Sequence, residues 1–123
     1  THVHLADPYS DEFAAVAERY ARAVGEQFNT HTAHGYVTGQ LIAQAIEDAG
    51  EADPEAITEA TRDIEFDTLY ANPIRYADSG ELEDQIQLYS NVTAGSPSYY
   101  PEGDYGYEEV FRTDPLPAIP AEA

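Results

Sequence analysis

Four histidines are the residues best suited to chemistry in this chain, and they come as two close pairs. His2 and His4 form an H-x-H motif and His31 and His34 an H-x-x-H motif. Imidazoles at i, i+2 on a strand project from one side, and an i, i+3 pair on a helix can share one ion. A zinc centre also needs further ligands and partners that orient them, and nothing in the spacing brings the two pairs together. The expectation is four unrelated surface histidines and no metal ligands. The 24 carboxylates create apparent acidic pairs, such as Glu108-Glu109 and Glu81 with Glu83-Asp84. General acid–base work needs one carboxyl shielded so that its pKa rises, and these stretches read as hydrated surface. There is no D-x-D-x-D-G calcium loop, no G-x-S-x-G elbow and no glycine-rich phosphate loop. The expectation is therefore a non-enzyme without a cofactor. Tyr99, Tyr100, Tyr105 and Tyr107, interleaved with Gly and Pro, suit either a binding loop or a cover over the apolar edge of a small domain. The covering role is the one expected.

The charge balance excludes whole classes of partner. Acidic residues number 24 against five basic ones, all arginine, for a formal charge of −19. Such a surface repels phosphate backbones and anionic lipid, so no nucleic acid and no membrane surface is expected as a partner. High net charge with few large apolar residues also marks disordered chains. Ten tyrosines and well-placed helix caps argue instead for a folded, halophile-like protein. At molar salt the Debye length falls to about 3 Å, which screens the self-repulsion. The 123 residues suffice for one modest domain. No cysteine is present, so neither a disulfide framework nor a thiolate site is available. No run approaches the roughly 18 apolar residues of a membrane helix, and the opening THVHLADPYS lacks the regions of a signal peptide. The chain opens without methionine inside an extended segment, as a mature or truncated piece would.

The elements that must position these residues are legible from periodicity. The longest helical segment, His31 to Gly50, carries an apolar stripe of Leu41, Ile42, Ala45 and Ile46, extended backwards by Tyr36 and Val37. Thr30 or Thr32 is its expected N-cap and Gly50 its closing residue. Gly35 and Gly39, four apart, suggest that a packed element approaches closely there. Before it, Ser10 caps a helix whose stripe is Phe13, Val16, Ala17, Tyr20 and Val24, ended by Gly25. After it, Asp53-Pro54-Glu55 opens a short helix with Ile57, Ala60, Thr61 and Ile64 facing inward. The spacing predicts helices over about 11–25, 32–49 and 54–64, and strands over about 66–70, 73–77 and 85–92. Asp78-Ser79-Gly80 reads as a turn. Residues 1–95 thus form one unit, and 96–123 a Tyr/Pro/Gly-rich covering loop and tail.

The order of these pieces resembles the C-terminal part of the extracellular solute-binding proteins of ABC transporters, in the branched-chain amino acid and amide class. The matching residues are Glu12-Phe13 with Glu18-Arg19-Tyr20, then Ala33 and Gly35-Tyr36, then Ala45-Ile46 with Ala49-Gly50. They continue through Asp53-Pro54, Ala56-Ile57, Phe66, Thr68, Pro73-Ile74, Tyr76, Asp78 and Gly80, so the likeness covers about residues 5 to 95. The chain departs from the pattern in having His31 where an aromatic is common, and Val37-Thr38 where Asp-Ala is common.

The resemblance implies an α/β fold, with three helices packed on a small sheet and a C-terminal β-hairpin, a partial type I periplasmic-binding fold. It implies a protein that binds a small polar solute, amino acid or amide-like, between two lobes and delivers it to the membrane subunits of an ABC permease. Such a protein works outside the cell, anchored through an upstream region, and does no chemistry. By the same resemblance His31 stands at the cleft, with His34 and Tyr36 beside it as the expected ligand-binding residues. Two lobes need roughly 200–300 residues, so the chain is expected to be the closing third of such a protein. The alternative is a stand-alone acidic interaction or structural domain derived from that family without its cleft. In either case an uncovered sheet edge could pair two copies as a homodimer.

Overall fold

The computed structural model describes residues 2–94 and 105–119. Its elements are β1 (His2–His4), α1 (Asp11–Val24), α2 (Thr30–Ala49), α3 (Pro54–Arg62), β2 (Leu88–Ala94) and β3 (Tyr105–Arg112). The strands form one antiparallel sheet in the order β1-β2-β3. α1 and α2 pack with the irregular segment 64–76 around a core that includes Phe13, Val16, Phe28, Val37, Leu69 and Ile74, and α3 packs on α2. This is an α/β arrangement of three helices and a small sheet.

Caps fix the helix boundaries. Ser10 takes an extended conformation and its hydroxyl accepts from Phe13 N at 3.1 Å, while Asp11 and Glu12 place negative charge at the positive end of the α1 dipole. Gly25 closes α1 at φ 75°, a left-handed value that glycine alone adopts without steric cost. The N-cap of α2 is Asn29, not Thr30 or Thr32. Its amide oxygen accepts from both Thr32 N (3.0 Å) and Thr32 Oγ1 (3.1 Å), so the helix begins at Thr30. Asp53 caps α3 by accepting from Glu55 N and Ala56 N.

The buried ridge of α2 differs from the expected stripe. Ala33, Val37 and Ala45 are buried, with Leu41 packed against the core, whereas Ile42 is 51% and Ile46 38% exposed. The four ridge residues repeat every four positions, and Ile42 and Ile46 stand to one side of that line. Gly35 and Gly39 also differ from expectation. A Cβ built on either meets nothing within 4 Å, so no element approaches closely there.

In place of strands over 66–70 and 73–77 the structure has isolated bridges, Phe66↔Ile74, Ala6↔Tyr70 and Tyr76↔Leu82. Pro73 has no N–H to give a ladder. The side chain of Asn72 turns instead to residues 84–86, donating to Asp84 O (2.7 Å) and accepting from Ile86 N (3.1 Å). Gly80 closes the turn at φ 85°, and Arg75 forms an ion pair with Asp84 across the hairpin.

Within 96–123, residues 105–112 form a strand and not a covering loop. Tyr, Val and Phe fit a pleated surface, and β3 pairs with β2 in the register Leu88↔Arg112 and Tyr89↔Phe111, with a bulge at Tyr89/Ser90. Tyr99 and Tyr100 lie outside the described residues, as do the side chains of Tyr105 and Tyr107. Beyond β3, residues 113–119 run as a strap beside 81–87: Thr113 N donates to Gln87 O (3.0 Å), Leu116 N to Gln85 O (2.9 Å) and Ile119 N to Glu81 Oε2 (2.7 Å). Arg112 binds Asp7 at 3.1 Å and so ties β3 to the loop after β1.

Leu88 has no exposed surface and Ile42 is half outside. Replacing each by alanine separates the two environments. Leu88→Ala should cost about 3 kcal/mol of unfolding free energy through lost burial and a residual cavity, and Ile42→Ala should stay within about 0.5 kcal/mol. Equal losses in a urea titration would contradict this description of α2.

Candidate functional site

The expected ligand-binding residues all lie on α2, where 100° of rotation per residue decides what each one faces. His31 and His34 are three apart and share a face. Tyr36, two residues beyond His34, is turned about 200° from it. The structure accordingly brings the two histidines together and sends Tyr36 to the other side, towards α1.

His31 stands exposed in the first turn of α2. His34 is half-buried, its Nδ1 2.7 Å from the phenol oxygen of Tyr70, with the two rings edge-on at 5.6 Å between centroids. Burial lowers the His34 pKa, with neighbouring His31 adding to the effect. Burial, and then Tyr76, raises the pKa of Tyr70. At neutral pH the imidazole is thus uncharged and the phenol keeps its proton. Tyr70 can donate to Nδ1, which leaves an Nε2–H to donate outward beside His31.

On the other face, Thr68 donates to Gln40 Oε1 (2.7 Å) and Gln40 Nε2 donates to the Tyr36 hydroxyl (3.2 Å). This relay fills an acceptor position on Tyr36 and orients its phenol. Between α1 and α2 lies a groove of about 620 Å³, with Val16, Tyr20, Phe28 and Tyr36 as its apolar lining, Arg19 and Thr32 beside them, and Gly35 leaving it unfilled. The sequence reading did not find this groove. Its one advance signal was Gly35 followed by Gly39, a pair read as close packing when it marks open space.

His4 is buried at 3% exposure, contrary to the expectation of surface histidines, and its Nε2 lies 2.9 Å from Ser90 Oγ. Its ring faces the interior because β1 pairs with β2 so that His4 stands opposite Leu88, on the covered side of the sheet. Ser90 is itself fully buried, so this serine–histidine pair has no access to a substrate. The His2 side chain lies outside the described ones. Among the described residues no three His, Cys, Asp or Glu side chains converge on a common point. The acidic pairs likewise serve structure: Asp84 and Glu83 engage Arg75, and Glu109 engages Arg112.

Because the folded pKa of His34 lies below its unfolded value, the unfolded chain binds more protons as pH falls. Its contribution to stability is complete above the unfolded value of ~6.5 and is lost as pH drops through the folded value. Between pH 7.5 and 5, the wild-type urea midpoint should therefore fall more than that of His34→Gln. Parallel pH profiles would remove His34 as the source.

The periplasmic binding protein family model matches residues 2–96. Among solved structures, the leucine binding protein LivK of Thermotoga maritima MSB8 superposes with a TM-score of 0.66 at 21% identity, over 92% of this chain. The chain spans 30% of the length of that structure. A comparison with curated proteins finds no match. No helix among the described residues is long and apolar enough to cross a membrane. With its three helices and antiparallel sheet reproducing part of that fold, and with most of its length matched, the chain belongs to the periplasmic binding protein family.

Proposed function

We propose that the first turn of α2 is one wall of a solute site, and that the solute is a small polar molecule of the amino acid or amide kind. The observation that carries this reading is the pairing of exposed His31 with a neutral His34 whose Nδ1 is engaged by Tyr70. Such a pair offers oriented N–H donors at a helix start, where partial positive charge already favours a carboxylate or carbonyl oxygen. Tyr36, turned towards α1, lies outside this wall. Membership of the periplasmic binding protein family and the likeness to a leucine binding protein support an amino acid as cargo. Delivery to the membrane subunits of an ABC importer, at the extracellular or periplasmic face, follows from the same reading. The matched structure is about three times as long, so the opposite wall of the site belongs to parts of the fold beyond this match. The binding step is non-covalent and uses no cofactor.

A second reading is a stand-alone acidic interaction domain. It is favoured by the apolar row Val3–Tyr89–Phe111, which crosses all three strands in register with Val3 47% and Phe111 59% exposed. Under that reading two copies associate through this face or along the outer edge of β1. The acidic composition fits a halophilic protein in both cases.

Thermal denaturation in the presence of amino acids, short amides and urea, in dilute buffer and in about 3 M KCl, separates these readings. A solute held at a hundredfold excess over its Kd should raise the melting temperature by about 10 °C, and His31→Ala should reduce that rise. A folded chain that no solute shifts, yet that sediments as a dimer, would sink the transport reading in favour of the interaction domain. A melting temperature that does not increase with KCl would remove the halophilic character.

A further inference from the structure

The groove between α1 and α2 is lined from α2 by Thr32, Gly35 and Tyr36, and neither His31 nor His34 is part of its lining. Its walls are aromatic and aliphatic: Tyr20, Tyr36 and Val16 over the buried ring of Phe28, with the Tyr20 and Phe28 centroids 5.5 Å apart. At Gly35 the space is open, since a Cβ there would meet nothing within 4 Å. The volume of about 620 Å³ falls within the ~300–1,000 Å³ of small-molecule sites.

Arg19 gives the groove its polarity. The chain has five basic residues against 24 acidic ones, and Arg22, Arg75 and Arg112 each sit on a carboxylate. The other two, Arg19 and Arg62, form no ion pair among the described residues, and of these Arg19 is the one that lines the groove. A free guanidinium beside an apolar groove suits an apolar body that ends in one negative charge. Aromatic walls favour an aromatic body through offset and edge-on contacts. A second copy of this chain fits less well, because it would bring a charge of −19 against another −19.

We infer that the α1–α2 groove binds an aromatic monocarboxylate, with the ring among Tyr20, Phe28 and Tyr36 and the carboxylate on Arg19. His31 does not line this groove, so His31→Ala leaves it intact whatever becomes of the solute reading.

Isothermal titration of the whole chain with 3-phenylpropionate, and with its neutral amide 3-phenylpropanamide, tests this directly. The acid should bind saturably. Arg19→Gln, or exchange of the acid for the amide, should each weaken binding about tenfold. Gly35→Leu should abolish binding while the far-ultraviolet circular dichroism is retained, because the new side chain grows into open space on a helix that prefers leucine to glycine. Absence of saturable binding to a chain with native circular dichroism would overturn the inference. Equal affinities for acid and amide, or an unaffected Arg19→Gln variant, would overturn it as well. A dimer in sedimentation that Gly35→Leu dissociates would assign the groove to a second copy instead.

Discussion

The side-chain amide of Asn72 joins two stretches that no regular ladder connects. Its nitrogen donates to Asp84 O and its oxygen accepts from Ile86 N, fastening the segment after α3 to the residues that lead into β2. Everything in the sheet is referred to that point, because β2 is the middle strand and sets the register of both β1 and β3. Leu88, two residues after Ile86, is fully buried, and a slip of one position would turn it to solvent. The Asn72 bonds and the burial of Leu88 together favour one facing of the central strand.

How far the fold was legible depended on whether the signal was local. Ser10, Gly25, Gly50 and Asp53 act on backbone groups within a few residues, and each marks a helix end in the structure. The inward face of α2 was not legible in the same way. Leu41, Ile42, Ala45 and Ile46 are all apolar, and which of them is covered depends on where distant segments pack. β3 was missed because glycine and proline at 95–106 lent their character to the neighbouring YGYEEVFR, whose β-forming side chains need β2 as a partner before they form a strand. Asn29 was passed over as a cap for a plainer reason. Two threonines follow it closely, and only geometry shows which oxygen reaches Thr32 N.

The same distinction applies to the candidate site. The helix period alone places His31 with His34 and turns Tyr36 away, yet the resemblance grouped all three. Tyr70 lies 36 residues from its imidazole partner, so no local pattern could have named it. Arg19 was visible only as part of a matched motif. Its significance lies in its place beside the α1–α2 groove without a carboxylate partner among the described residues, which is a property of the folded surface.

The strap at 113–119 has a colloidal consequence. It is held by a few hydrogen bonds in series, one of them to a solvent-exposed carboxylate, and such a seam opens at less cost than the core. Once it lifts, the carbonyls of Gln85 and Gln87 form a bare strand edge that another chain can extend. In dilute buffer the density of negative charge keeps neighbouring chains apart. Salt that calms the repulsion within each molecule also removes the barrier between molecules, so conditions that favour compactness place the burden of solubility on this seam.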